Sequence, residues 1–255
     1  MLLTIDAGNT NIAIGLLDEG KVTATYRLTT KTPRTSDEYG ICLNMFLENY
    51  GHDRDEIEDV IISSVVPNIN YSLSSAIIKY IGKAPIFVTK DLDSGIGLDV
   101  DNPVEVGADL IVEMAAVYKE YGHSCIVIDF GTATTYAYLS GGGVFRGLVI
   151  APGLQATAAA LTSQAAMLPA VEITKPAHVL GRNTVACMQS GIVNGYIGEV
   201  EYIVRSIKEE MNDPDCTVIA SGGMGRVISG ETSAIDIYDP DLAYKGMYIL
   251  YQMNK

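Results

Sequence analysis

Two stretches of this chain share one pattern: LTIDAGNT at residues 3–10 and IVIDFGTAT at residues 126–134. Each is a short apolar run, rich in β-branched residues, that ends in Asp-x-Gly and continues into small hydroxyl or amide side chains. Such a run is typical of a buried strand followed by a tight turn. The repeat therefore predicts two similar half-domains. Each would offer a carboxylate, Asp6 or Asp129, and a phosphate-sized turn to one shared cleft.

The elements expected after each stretch also repeat. In the first half we expect strands over 2–6, 11–17 and 21–29, a helix from Ser36 to Tyr50, a strand over 59–66 ended by Pro67, a helix over 71–81 and a strand over 84–88. A loop over 91–103 leads to the segment 105–109 and a helix that runs to about Tyr121. In the second half we expect strands over 124–129, 136–139, 144–150 and 217–220, with helices over 154–166, 183–211 and 241–254. Hairpins followed by alternating helices and strands predict an α/β fold with mixed sheets. The predicted half-domains are residues 1–117 and 118–255.

Composition excludes several classes of function. Hydrophobic residues make up 48% of the chain and charged residues 19%, as in ordinary globular proteins. A net charge of −14 argues against a nucleic-acid-binding surface, because Lys and Arg supply most phosphate contacts. The four cysteines form no C-x-x-C pair, so neither a zinc site nor a disulfide framework is expected. No apolar run reaches the roughly 18 residues of a membrane span, and the first residues carry no signal-peptide pattern. We therefore expect a cytoplasmic protein that binds neither nucleic acid nor membrane.

Both turns carry the groups that bind phosphate. Glycine lets backbone N–H groups approach a phosphate closely, and short hydroxyl or amide side chains add donors. The segments 8–11 and 131–135 supply both, although neither matches the Walker or dinucleotide glycine pattern. Asp6 and Asp129, at the strand ends, could hold cations that neutralise phosphate charge. Alternatively, each could cap its own turn by accepting backbone N–H bonds.

Asp109 differs from these two carboxylates. It lies beside Gly107 at the start of a mostly apolar helix, where the helix dipole stabilises an anion. It is either the N-terminal cap of that helix or a base that accepts a proton from a substrate hydroxyl during phosphoryl transfer. The residues alone leave both readings open. A further glycine-rich turn, Ser221-Gly222-Gly223, would let a flat group such as adenine pack against the backbone.

The chain resembles the type III pantothenate kinases, members of the acetate-kinase, Hsp70 and actin nucleotide-binding superfamily. D-x-G-N-T over 6–10 and D-F-G-T-A-T over 129–134 are similar to the two phosphate motifs of the family. D-N-P-x-E-V-G-A-D over 101–109 is similar to its substrate and catalytic segment. P-G-L over 152–154 and the segments 181–184, 188–191 and 221–223 follow in family order. The resemblance implies two ribonuclease-H-like half-domains with mixed β-sheets and flanking helices, the actin-like ATPase architecture.

The resemblance also implies a function and a set of site residues. The function is phosphorylation of pantothenate by ATP with Mg²⁺, giving 4'-phosphopantothenate at the first step of coenzyme A biosynthesis. Asp109 would be the general base, and Asp129 would bind a monovalent cation, K⁺ or NH₄⁺. ATP would contact Asp6, Ala7, Gly8, Asn9, Thr10, Asn11, Gly131, Thr132, Ser221, Gly222 and Gly223. Pantothenate would contact Val100, Gly107, Ala108, Asp109, Leu110 and Thr184. The family acts as homodimers, so Thr184 is expected to serve the neighbouring subunit's site.

Two positions depart from the family pattern. Leu110 stands where the family has Arg, and Val100 where it commonly has Tyr. A lost charge-assisted hydrogen bond is worth roughly 1.5–3 kcal/mol, or about tenfold to hundredfold in binding or rate. The departures leave two alternatives to the kinase: a weakened nucleotide-binding relative with a regulatory or accessory role, and a kinase for another small hydroxylated substrate. The retained Asp109 favours reduced or altered activity over complete loss. Together with both phosphate turns and the Thr184 segment, it favours the pantothenate kinase over the two alternatives.

Overall fold

The structure, a computed structural model, describes residues 1–255, and its contacts divide the chain into two compact units. The N-terminal unit contains Met1–Ile96, Asp101–Glu120 and Asp241–Lys255. The central unit contains Gly97–Val100 and Tyr121–Pro240. The C-terminal segment therefore packs with the N-terminal strands. The division of the function between half-domains 1–117 and 118–255 stays a prediction.

Each unit is built around one mixed sheet. The strands are β1 (Leu2–Ala7), β2 (Asn11–Asp18), β3 (Lys21–Thr29), β4 (Asp59–Ser64), β5 (Ile86–Phe87), β6 (Gly97–Leu98), β7 (Cys125–Phe130), β8 (Ala133–Leu139), β9 (Val144–Pro152), β10 (Thr217–Ser221) and β11 (Ile237–Tyr238). The N-terminal sheet has the order β3-β2-β1-β4-β5, and the central sheet the order β11-β10-β7-β8-β9-β6. In both, an antiparallel three-stranded meander is extended by parallel strands beside its first strand. The repeated sequence is thus a repeated topology, and the predicted mixed α/β fold is confirmed.

Seven α-helices flank the sheets: α1 (Ser36–Asn49), α2 (Pro67–Tyr80), α3 (Ala108–Tyr121), α4 (Leu154–Gln164), α5 (Thr184–Glu210), α6 (Gly225–Ile228) and α7 (Leu242–Met253). The N-terminus of α1 is set by a capping box, in which Thr35 Oγ1 accepts the N–H of Glu38 and the Glu38 carboxylate accepts the N–H of Thr35. Asn183 caps α5 by accepting the N–H of Ala186 at 2.9 Å. None of the helices is long and apolar enough to cross a membrane.

Strand alternation determines which side chains of β1 face which helices. Leu3 and Ile5 belong to the core formed with α1 and α2, whereas Leu2 belongs to the core that contains residues of α3 and α7. Because successive side chains of a strand point to opposite faces, Thr4 and Asp6 lie on the same face as Leu2. The carboxylate of Asp6 therefore shares its face of the sheet with α3, the helix that carries Asp109.

Several predicted boundaries were wrong for identifiable reasons. Helix α2 begins at Pro67 rather than at residue 71, because proline at the first helical position needs no N–H partner and has a helical φ. The expected loop over 91–103 contains β6, which pairs in parallel with β9. Strand β8 begins at Ala133, so only two residues separate β7 from β8. The expected helix start at Asp109, beside Gly107, is confirmed: α3 begins at Ala108, after the 3₁₀ turn Pro103–Glu105.

The close approach of α7 to α3 yields a test of the N-terminal unit. A Cβ at Gly246 would overlap the carbonyl oxygen of Val112 and lie 2.7 Å from its Cγ1. We therefore expect Gly246→Ala to lower the free energy of unfolding by about 1–3 kcal/mol through overpacking. Thermal unfolding of the purified protein measures this change.

The matched control is Gly198→Ala on α5, where a Cβ meets no atom within 4 Å. That substitution should leave the melting temperature unchanged or raise it, because alanine stabilises an exposed helix by about 0.5–1 kcal/mol relative to glycine. Equal melting temperatures for the two variants would contradict the assigned packing of α7.

Candidate active site

Asp6 lies near the carboxyl end of β1, between Ala13 of β2 and Ser63 of β4 in the sheet register. Burial raises the pKa of Asp6 to about 6, and the negative charge of Asp109 acts in the same direction. The nearby Ser63 hydroxyl lowers that pKa. Asp6 is thus a carboxylate whose ionised form is destabilised by its surroundings. A bound cation would relieve that destabilisation.

Asp109 is the second residue of α3 and lies within its first turn, one residue beyond Ala108. Its Oδ1 accepts the N–H of Leu110 at 2.8 Å, so the carboxylate does serve the helix terminus. Burial raises the pKa of Asp109, while backbone N–H groups of the first turn lower it. A Cβ at Gly107 would overlap Asp109 Oδ1, so this glycine leaves room for the carboxylate. The position combines helix capping with the raised proton affinity that a base requires.

The two carboxylates are close enough for the charge of Asp109 to raise the pKa of Asp6. No group of three or more His, Cys, Asp or Glu side chains forms a metal cluster in the chain. Mg²⁺ at a phosphoryl-transfer site characteristically uses one or two carboxylates and completes its shell with phosphate oxygens and water. The donor set around Asp6 therefore fits a nucleotide-bound Mg²⁺ better than a metal held by the protein alone.

The turn after β1 is held by its backbone and by a residue that sequence reasoning missed. Gly8 donates its N–H to the carbonyl of Asn11 at 3.0 Å. Thr30 bridges both sides of the turn: its hydroxyl donates to the carbonyl of Gly8 at 2.7 Å, and its N–H donates to the carbonyl of Thr10 at 3.0 Å. Ala7 is buried, whereas Asn9 and Asn11 are exposed at the turn. The exposed amide side chains and backbone are available to a phosphate.

In the central unit the structure brings the second Asp-x-Gly turn and the Ser221-Gly222-Gly223 turn together. Asp129 lies opposite Ser221 in the parallel pairing of β7 with β10. A Cβ at Gly131 would lie 2.8 Å from Asp129 Oδ2, and one at Gly222 would lie 2.5 Å from Asp129 Oδ1. Gly222 also has a φ of +86°, which side chains rarely adopt. The two glycines thus lie against the Asp129 carboxylate. A side chain at Gly222 would clash with the backbone of Phe130, and one at Gly131 would displace the carboxylate.

A third glycine completes this arrangement. A Cβ at Gly153 would overlap the carbonyl oxygen of Thr132 and lie 2.8 Å from that of Gly131. The Pro-Gly-Leu segment therefore packs directly against the second turn. Tyr238 supports the other side by donating its hydroxyl to the carbonyl of Gly222 at 3.0 Å. The Pro-Gly-Leu motif was visible in the sequence, whereas no local pattern indicated Tyr238.

Comparison with known proteins identifies the family. A family profile described as type III pantothenate kinase matches residues 2–206. A type III pantothenate kinase of Agathobacter rectalis is 48% identical over 252 residues, covering 99% of this chain and 97% of that protein. One of Bacillus cytotoxicus is 44% identical over 254 residues, covering 100% of this chain and 97% of that protein. The chain belongs to the type III pantothenate kinase family.

Solved structures support the fold at lower sequence similarity. A putative 2-dehydro-3-deoxygalactonokinase from Sinorhizobium meliloti superposes with a TM-score of 0.59 at 12% identity, covering 99% of this chain and 96% of that one. A putative Baf family transcriptional activator from Campylobacter jejuni superposes with a TM-score of 0.57 at 19% identity, covering 99% and 98%. These likenesses concern the fold alone.

The residues predicted to bind pantothenate, the substrate in the name of the family, are distributed over both units. Gly107, Ala108, Asp109 and Leu110 form one continuous stretch at the start of α3. Val100 follows β6 and is half-buried, and Thr184 is the exposed first residue of α5. Arg146 forms an ion pair with Asp99, and Arg182 is exposed just before α5. The shared cleft stays a prediction.

The raised pKa of Asp6 predicts how stability depends on pH. In the unfolded chain Asp6 ionises near its ordinary value of 3.8, whereas in the folded protein it keeps its proton up to about pH 6. Its contribution to stability is therefore fully present below about pH 4 and is lost as the pH rises through about 6. We expect Asp6→Asn to raise the melting temperature at pH 8 in magnesium-free buffer, by an amount that shrinks towards pH 4.

The control is Asp18→Asn, which removes an equal charge from an exposed position at the end of β2. Substitutions at exposed positions usually change the free energy of unfolding by no more than about 0.5 kcal/mol. Melting temperatures of both variants and the parent, measured from pH 4 to pH 8, test whether Asp6 is the destabilising carboxylate. An Asp6→Asn protein that is less stable than the parent at pH 8 would contradict the destabilising burial of this carboxylate.

Proposed function

We propose that this kinase transfers the γ-phosphoryl group of ATP to the primary hydroxyl of pantothenate, forming 4'-phosphopantothenate and ADP at the first step of coenzyme A biosynthesis. The observation that carries the proposal is the pair of carboxylates, Asp6 and Asp109, on one face of the N-terminal sheet beside a phosphate-sized turn. Asp6 can bind the cation that neutralises phosphate charge, while Asp109 accepts the proton of the substrate hydroxyl. Membership of the type III pantothenate kinase family supports the identity of the substrate.

Asp109 is the proposed general base. As the hydroxyl oxygen of pantothenate forms its bond to the γ-phosphorus, the bond between that phosphorus and the β–γ bridging oxygen breaks and ADP leaves. Asp109 accepts the hydroxyl proton, and burial supports this role because it raises the pKa of the carboxyl. The N–H of Leu110 holds Asp109 Oδ1 in place at 2.8 Å, so the base is oriented before substrate arrives.

ATP is proposed to contact residues 6–11 in the N-terminal unit and Gly131, Thr132 and the 221–223 turn in the central unit. Asp6 would hold the Mg²⁺ that neutralises phosphate charge. Gly131 and Gly222, which admit no side chain beside Asp129, would let the nucleotide approach the backbone closely. Pantothenate would meet residues 107–110, Val100 and Thr184.

Three finer features complete the proposal. Asp129 is proposed to bind a monovalent cation, K⁺ or NH₄⁺, which the close approach of the Gly131 and Gly222 backbone to its carboxylate supports. A homodimer is proposed in which the exposed Thr184 serves the neighbouring subunit's site. The cytoplasm is the proposed location, where ATP and free thiols are both maintained.

Removal of the base tests the proposal most directly. We expect Asp109→Asn to lower turnover of pantothenate by about 10²-fold to 10⁴-fold, the usual contribution of a positioned acid or base. Nucleotide binding should persist, because the residues proposed to hold ATP are unchanged. A coupled assay of ADP release, with Mg²⁺ and K⁺ present, measures turnover, and calorimetry measures nucleotide affinity.

The matched control is Asp91→Asn, which removes a carboxylate from an exposed loop of the same unit and should turn over as the parent does. The proposal fails if the parent converts no pantothenate. The role of Asp109 fails if its amide variant is as active as the parent.

The uncharged residue beside the base generates the next prediction. Leu110 is half-buried and directly follows Asp109, so a cation at this position would lie where charge develops on the phosphoryl group. We expect Leu110→Arg to raise kcat/KM by about tenfold to hundredfold, the value of a charge-assisted hydrogen bond of roughly 1.5–3 kcal/mol. Steady-state kinetics with pantothenate and ATP measure this change.

Leu110→Met is the control, because it keeps the side chain apolar and similar in volume. A Leu110→Arg enzyme with the parent's kcat/KM would show that another group already supplies the charge. A parent that binds nucleotide but neither binds nor converts pantothenate would instead favour the regulatory relative, which is the second candidate that Leu110 supports.

A further inference from the structure

Two buried hydroxyl groups on the same face of the sheet as Asp6 have no partner at ordinary hydrogen-bond distance. They belong to Ser63, which is 1% exposed, and to Tyr244, which is 4% exposed. A buried polar group without a partner costs free energy, so its retention in a folded protein calls for a physical reason. One other side chain in the chain shares this condition, Tyr39, and it belongs to the core on the opposite face of the same sheet.

Ser63 is placed by strand register. It lies on β4 directly opposite Asp6 in a parallel pair, so the two side chains project from the same face. No local sequence pattern distinguishes Ser63, which is the penultimate residue of a mostly buried strand. Only the pairing of β1 with β4 brings its hydroxyl beside the carboxylate.

Tyr244 reaches the same face from the other end of the chain. A Cβ at Gly15 would lie 2.6 Å from Tyr244 Cδ1, so the ring packs against β2 where glycine leaves room. Gly15 pairs with Thr4, and Thr4 precedes Asp6 by two positions on the same face of β1. The phenol therefore lies along the row of side chains that ends in Asp6.

The position of Tyr244 is fixed by its helix. Gly246, two residues further along α7, packs against the backbone of Val112 in α3. On the other side, the Thr4 hydroxyl donates to the carbonyl of Gly15 at 3.1 Å. Burial raises the pKa of the Tyr244 phenol, and the nearby Arg27 acts in the opposite direction. Tyr244 is held between the sheet and α3, the helix that begins beside Asp109.

We infer that Ser63 and Tyr244 are positioning residues for Asp6: in the nucleotide-bound enzyme their hydroxyls donate hydrogen bonds that orient its carboxylate towards Mg²⁺ and the phosphates of ATP. The inference rests on the proposed function only for the nature of the ligand. Both hydroxyls are donors, Asp6 is an acceptor that lies on their face, and hydrogen bonds to a carboxylate are the strong, charge-assisted kind. Tyr39 belongs to the core on the opposite face of the sheet, to which the Asp6 side chain does not project.

The test compares Tyr244→Phe with Tyr39→Phe, two identical substitutions of buried tyrosines whose hydroxyls have no partner. Calorimetry with a non-hydrolysable ATP analogue, with and without Mg²⁺, gives the factor by which Mg²⁺ strengthens nucleotide binding. We expect Tyr244→Phe to reduce that factor about tenfold and to lower kcat to a similar extent, with little change in KM for pantothenate. Tyr39→Phe should match the parent in both, and neither variant should lose melting temperature.

Ser63→Ala is a second test, on β4 instead of α7. It should also reduce the factor by which Mg²⁺ strengthens nucleotide binding, called here the magnesium factor. The inference is overturned if Tyr244→Phe keeps the parent's magnesium factor. It is also overturned if Tyr244→Phe weakens magnesium-free binding and thermal stability together, which is what a purely structural role would do. If the parent fails to phosphorylate pantothenate, the proposed function fails, while the calorimetric comparison still decides this inference.

Discussion

The partial burial of the Asp6 carboxylate is the constraint on which the N-terminal unit depends. A charge at this position is unfavourable for folding, because burial and the neighbouring Asp109 both oppose its ionisation. The alternation of β1 leaves no other face for it, since Leu3 and Ile5 are needed in the core with α1 and α2. The unit therefore keeps a carboxylate that costs stability, and such a cost is usual where a site must bind a cation or transfer a proton.

In the central unit, glycines rather than larger residues surround the corresponding carboxylate, Asp129. Asp129 and the two turns around it are packed so closely that Gly131 and Gly222 admit no Cβ, and Gly153 is equally restricted against the backbone of Thr132. Glycine lets a ligand approach the backbone closely beside the Asp129 carboxylate. The two units thus share a topology but differ in what surrounds the carboxylate: the charge of Asp109 acts on Asp6, whereas glycines lie against Asp129.

Much of this arrangement is visible in the sequence because it depends on local signals. The apolar runs before Asp6 and Asp129, the turn glycines and the capping box at Thr35 each occupy a few consecutive residues. The family motifs were recognisable for the same reason, and the mixed α/β fold followed from the order of elements. Helix α2 was predicted four residues late because Pro67 was read as the end of a strand rather than as the first residue of a helix.

What the sequence does not show is produced by register and by contacts between distant segments. Ser63 lies beside Asp6 only because β4 pairs with β1 at one particular offset, and a shift of one residue would turn its hydroxyl to the other face. Tyr244 lies more than 200 residues from its neighbour Gly15, and nothing in the closing helix distinguishes it from the other tyrosines there. Functional groups that act through another residue are therefore the ones that motif reading misses. Their signal is energetic, a buried hydroxyl left without a partner, and it exists only in the folded structure.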